Sequence, residues 1–64
     1  MMAVTLEPAD RHGLSRVLVD GRTVGYVQRR GGRYLLLAPD GRKLGRPARS
    51  KKLAVARLLG GGSR

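Results

Sequence analysis

An α+β fold, a three- to four-stranded antiparallel β-meander packed against one C-terminal α-helix, is the architecture this sequence predicts. Three observations carry it. The hexapeptide Asp-Gly-Arg-x-(Val/Leu)-Gly occurs at 20–25 and again at 40–45, each copy behind an apolar run. Arg30-Gly31-Gly32-Arg33 lies between the copies as a third turn signal, and the stretch Ser50 to Leu59 that follows reads as a helix. Asp-Gly and Gly-Gly steps between strand-like runs mark tight hairpins, because both central residues of a type I′ turn need positive φ.

If each turn has two residues, counting fixes the register, since opposite residues of neighbouring strands share a face and side chains alternate. Asp20-Gly21 then sets Val19 opposite Arg22 and Val17 opposite Val24. Gly31-Gly32 sets Tyr26 opposite Leu37 and Gln28 opposite Leu35, and Asp40-Gly41 sets Leu37 opposite Leu44. The expected core face is Val17, Val19, Val24, Tyr26, Leu35, Leu37 and Leu44. Arg16, Leu18, Thr23, Gly25, Val27, Arg29, Tyr34, Leu36, Ala38, Lys43 and Gly45 fall on the outer face, where Arg29 opposite Tyr34 is spaced for a cation–π contact. Glycines within strands weaken them, so Gly25 and Gly45 mark either bulges or places where another backbone comes close.

The helix presents Ala54, Val55, Leu58 and Leu59 as one stripe for the apolar face, with Leu53 and Ala56 on its back. Ser50 is a natural N-cap and Gly60 a natural C′ residue. The chain divides into an N-terminal arm or extra strand at 1–13, a small basic sheet-and-helix domain at 14–59, and a flexible tail at 60–64.

Sixty-four residues without cysteine give a small core with no disulfide to support it. The absence of disulfides, signal-like stretches and membrane-length apolar runs leads to the expectation of a cytoplasmic protein with no membrane partner. Fourteen Lys and Arg against four acids give a net charge of +10, and no acid follows Asp40. Such an excess opposes compaction and attracts polyanions, nucleic acid being the commonest. Arg49, Lys51 and Lys52 stand at the helix start, where the dipole disfavours cations, and with the free amides of the first turn they form a phosphate-anchoring point.

Gly32-Arg33-Tyr34, the hairpin Asp40-Gly41-Arg42-Lys43, the step Leu44-Gly45 and the run Ser50-Lys51-Lys52-Leu53-Ala54 resemble a recurrent pattern. Gly-Lys-aromatic, Asp-Gly-Lys, Leu-Gly and Thr/Ser-x-x-x-Ala follow one another in two related groups. These are the arm-type DNA-binding domain of phage tyrosine integrases and the plant ethylene-response-factor domain. The resemblance spans about residues 14–59. It implies a three-stranded sheet on a C-terminal helix with its outer face in the DNA major groove, Arg33 and Tyr34 on the second motif strand and Lys43 on the third.

Catalysis is not expected. His12 is the single histidine, the acids Glu7, Asp10, Asp20 and Asp40 form no evident pair, and no cofactor or metal motif is present. The expected activity is binding of double-stranded DNA by the basic sheet face. Arg16, Arg29, Arg33 and Lys43 would lie at the groove with Thr23 and Tyr34 beside them, and Arg49, Lys51 and Lys52 on phosphate. RNA is a rival partner, weakened by having only Tyr26 and Tyr34 as aromatics, with Tyr26 on the core side. A second rival is a small phage-type or regulatory adaptor docking an acidic protein surface through Leu18, Val27 and Leu36.

Overall fold

The chain's two-residue turns form as their residues require. Asp20 and Gly21 have φ of 51° and 83°, and Gly31 and Gly32 have 54° and 81°, the paired positive values of type I′ turns. The computed structural model describes residues 3–60. Strands β1 (Val4–Pro8), β2 (Leu14–Val19), β3 (Arg22–Arg30) and β4 (Arg33–Leu37) form one antiparallel sheet in the order β1-β2-β3-β4. Helix α1 (Lys51–Gly60) packs across β3 and β4. Residues 61–64 of the expected tail lie outside the described residues.

The β3–β4 register is the one the Gly31-Gly32 turn dictates, with Tyr26 opposite Leu37 and Arg29 opposite Tyr34. The β2–β3 register is not the counted one. Val19 faces Arg22 and Leu18 faces Thr23, but Val17 faces Gly25 and Arg16 faces Tyr26, so Val24 is the extra residue of a β-bulge. A one-residue insertion exchanges the faces of everything beyond it on β3 and, through pairing, on β4.

The core is accordingly Val17, Val27, Leu36, Ala48 and Ala54, with Val24, Tyr34, Val55 and Leu58 packed against it. Val17, Val24 and the helix residues Ala54, Val55 and Leu58 lie where counting places them. Tyr26, Leu35 and Leu37 do not: they lie on the face away from the helix, and Val27 and Leu36, expected outside, are buried. Leu53 on the helix back is 38% exposed, as its position off the apolar stripe requires.

Gly25 shows why the helix settles on this side. A Cβ placed there would lie 2.5 Å from the Leu37 carbonyl oxygen and 2.9 Å from both Leu58 methyl carbons. The bulge and the close approach are one feature, and the glycine serves the helix.

The segment after β4 also departs from the count. Pro39 and Asp40 occupy the centre of a turn closed by the Gly41 N–H donating to the Ala38 carbonyl at 2.9 Å, and Gly41 follows at φ 96°. That is a three-residue loop, built because proline suits the second position of a type I turn and glycine the left-handed residue after it. Lys43, not Leu44, therefore stands opposite Leu37. Residues 42–48 follow the outer edge of β4, with bridges at Lys43 and at Ala48, rather than forming a full strand. Gly45, at φ 66° and with open space around it, takes up the extra length between those bridges.

Gly25→Ala forces apart the helix and the sheet at their tightest point, and overpacking of this kind costs about 1–3 kcal/mol. Urea denaturation followed by circular dichroism is expected to show the midpoint falling accordingly.

Candidate nucleic-acid interface

Arg30 and Arg33 flank the Gly31-Gly32 turn and face each other across the last rung of the β3–β4 hairpin. One rung back stand Arg29 and Tyr34 on the helix side of the sheet. Tyr34 in turn exchanges backbone hydrogen bonds of 2.9 and 2.8 Å with Ala48, which brings the start of α1 to this end of the molecule. Arg11, His12, Arg29, Tyr34 and Lys51, with Glu7 and Asp10, line an open cleft of about 770 Å³ there. The β1–β2 loop, the hairpin tip and the helix start thus gather cations that are far apart in sequence.

Ser50 caps the helix. Its Oγ accepts the Leu53 N–H at 3.1 Å and its carbonyl accepts the Ala54 N–H at 3.0 Å, leaving the Lys51 and Lys52 amides pointing from the positive end of the dipole. First-turn amides plus lysine ammonium groups are a chemically suitable seat for phosphate oxygens.

Of the residues expected to form a single basic face, the structure brings Arg29, Tyr34 and Lys51 to one cleft on the helix side of the hairpin end, with Arg49 and Lys52 beside Lys51 on the chain at the helix start. Arg33, paired with Arg30, stands at the same end on the helix-free face. Tyr34 is half-buried against the core, so it supports the end rather than facing solvent as a free ring. Arg16 and Lys43 also lie on the helix-free face, farther from the tip than Arg33. Thr23 is also on that face, but it is seven residues from Arg30 along β3, about 23 Å at the rise of an antiparallel strand. A single face carrying Arg16, Arg29 and Lys43 together is therefore corrected: the bulge puts Arg29 on the other side. The helix does not bury it, since Arg29 is exposed.

Sequence counting missed Arg30 and Tyr26. Arg30 was legible as a member of the Arg-Gly-Gly-Arg tip. Tyr26 was hidden by the bulge, and it lies on the open face with the Arg16 guanidinium 5.9 Å from its ring centre, where the cation–π contact expected at Arg29 and Tyr34 is found instead. Arg16 also pairs with Glu7 at 3.7 Å, and Arg42 with Asp40 at 3.3 Å. Asp20 accepts the Ala3 amide at 3.0 Å, so three of the four acids have local structural partners. Among the described residues Arg16 and Arg42 alone form ion pairs, so the hairpin-end cations have no ion-pair partner. No three His, Asp or Glu side chains of the described residues converge to hold a metal ion.

Comparison with known protein families, curated proteins and solved structures finds no match to this chain. The likeness to integrase arm-type and ethylene-response-factor domains rests on its residues alone.

Ser50→Ala removes the hydroxyl acceptor of the Leu53 amide and is expected to lower stability by about 1 kcal/mol. The urea midpoint measures it.

Proposed function

We propose that this chain is a non-catalytic double-stranded DNA-binding protein whose contact end is the β3–β4 hairpin tip together with the start of α1. The observation that supports this reading is the placement of Arg29 and Lys51 on the helix side of the hairpin end and of Arg30 and Arg33 on the other side of the same tip, four cations from three chain segments without ion-pair partners. A Gly31-Gly32 tip has no side chains and nothing within 4 Å of where a Cβ would be, so its backbone can approach a sugar-phosphate chain closely. Arg30 and Arg33 on either side offer planar forks for phosphate or for a guanine edge. Lys51, Lys52 and the first-turn amides hold a neighbouring phosphate. Arg16 and Lys43, on the open face, extend the field that steers the duplex in without touching the same phosphates.

RNA competes as a ligand because Tyr26, on the open face, offers a ring beside Arg16, although this is one platform where single-strand readers stack several bases. The acidic-protein adaptor reading draws on Leu14, Leu18, Leu35 and Leu37, which the helix leaves uncovered on the open face. Leu36 and Val27 no longer serve that reading, since both are buried.

Fluorescence anisotropy with a labelled duplex over a salt series tests the proposal. Neutralisation of about five phosphates gives a slope of log affinity against log salt near −4.5, and Arg30→Glu with Arg33→Glu is expected to flatten it by about 1.8. Arg22→Glu, at the opposite end of β3, should leave it nearly unchanged. A flat salt response, or equal losses at both ends of β3, would contradict the assignment. Preference for single strands or RNA over duplex in the same assay would transfer the site to those ligands.

A further inference from the structure

We infer that two copies of this chain associate through β1, antiparallel and about a two-fold axis at Thr5, to make one continuous sheet. The two sheet edges are treated differently. Residues 42–48 cover β4, with the Leu44 N–H donating to the Leu36 carbonyl at 2.8 Å and Ala48 bonding Tyr34 in both directions. Nothing among the described residues covers β1, and all five of its residues are exposed.

The phase of the β1–β2 ladder shows what that edge offers. The Ala9 N–H donates to the Leu14 carbonyl and the Asp20 N–H to the Ala3 carbonyl, which continue the register of Val4 opposite Val19 at either end. Hydrogen-bonded pairs alternate along an antiparallel ladder. Ala3, Thr5, Glu7 and Ala9 therefore point their backbone groups toward β2. Val4, Leu6 and Pro8 point theirs outward, and Pro8 has no N–H to give.

One antiparallel register satisfies the outward groups of Val4 and Leu6. Val4 lies opposite Leu6 of a second copy, each N–H donating to the other's carbonyl, and the two-fold repeats the arrangement with Thr5 opposite Thr5 between them. Pro8 falls beyond the last bond. Val4 and Leu6, 42% and 41% exposed, share the face of Val17 and Val19 and would form one apolar row across the junction.

Charge singles out a second copy as able to approach here. β1 is the one strand without Lys or Arg, while β2, β3 and β4 each carry at least one. Exposed edges are ordinarily guarded by charged side chains or Pro, and β1 carries both, Glu7 and Pro8, only at its C-terminal end, which leaves Val4 to Leu6 unguarded. On a chain of net charge +10, the single cation-free strand is also the single uncovered sheet edge among the described residues. Association should strengthen with salt, because screening weakens repulsion between two cationic copies, opposite in sign to the salt effect on DNA binding.

Sedimentation equilibrium of the full chain, at low and high salt, measures the mass. A monomer–dimer equilibrium that shifts toward dimer at high salt is expected. Leu6→Pro, which removes an outward N–H and leaves the bonds to β2 in place, should give a monomer with an unchanged circular dichroism spectrum. The chain has no native thiol, so Thr5→Cys carries a single one. It should oxidise to a disulfide-linked dimer at least tenfold faster than Ala56→Cys on the exposed helix back. A native chain that stays monomeric at millimolar concentration and high salt overturns the inference. So does a Thr5→Cys chain that cross-links no faster than Ala56→Cys.

Discussion

The architecture depends on how closely α1 approaches the sheet at Gly25. Leu58 rests where any larger residue would place its Cβ, and the bulge that puts Val24 and Gly25 together opposite Val17 opens that position. From this contact follows which side of β3 and β4 is dry. Val27 and Leu36 pass under the helix with Ala54 and Ala48, all small or medium side chains, so the layers sit close together. Tyr26, Leu35 and Leu37 are left on the other side. A core of this size offers little reserve against a net charge of +10.

The charge is managed by placement more than by pairing. Glu7 lies against Arg16, Asp40 against Arg42, and Asp20 ties the N-terminal backbone to the first turn. These acids hold the fold's joints and do little to neutralise the hairpin end, where Arg29 and Lys51 stand on one side of the sheet and Arg30 and Arg33 on the other. Exposed like charges at the end of the hairpin are well solvated and cost less than the same charges beside a core. They also form a field that a polyanion can enter from outside. The proposed DNA contact is centred on the hairpin tip and the proposed β1 association on the bare edge, and the two adjoin at the cleft that Leu6, Glu7 and Pro8 line beside Arg29 and Lys51.

The helix-free face has a composition between those of a core and a surface. Leu14, Leu18, Leu35 and Leu37 are half-buried by their own neighbours, and the Arg16 side chain lies over Tyr26. Long cationic side chains can cover apolar surface with their stems while keeping the charged head wet. This lets a thin four-stranded layer keep leucines on both sides with only one helix.

The type I′ turns, the helix with its Ser50 cap and the register between β3 and β4 were legible in the residues, because each depends on contacts within a few positions of chain. Val17 and Val24 were placed on the dry side correctly for the same reason, lying next to the Asp20-Gly21 turn. Pro39 was the local sign that the third loop holds three residues, and the second Asp-Gly step concealed it by resembling the first. The candidate site was legible as a set of cations but not as a place: Arg33, Arg49, Lys51 and Lys52 could be picked out, while the separation of Arg29 from Arg16 and Lys43 could not. Gly25 allowed a bulge without requiring one. Only packing chose it, because a one-residue insertion in β3 has almost no local cost at a glycine and exchanges both faces of two strands, and the choice between the faces was made by where Leu58 and Ala54 could come nearest the sheet.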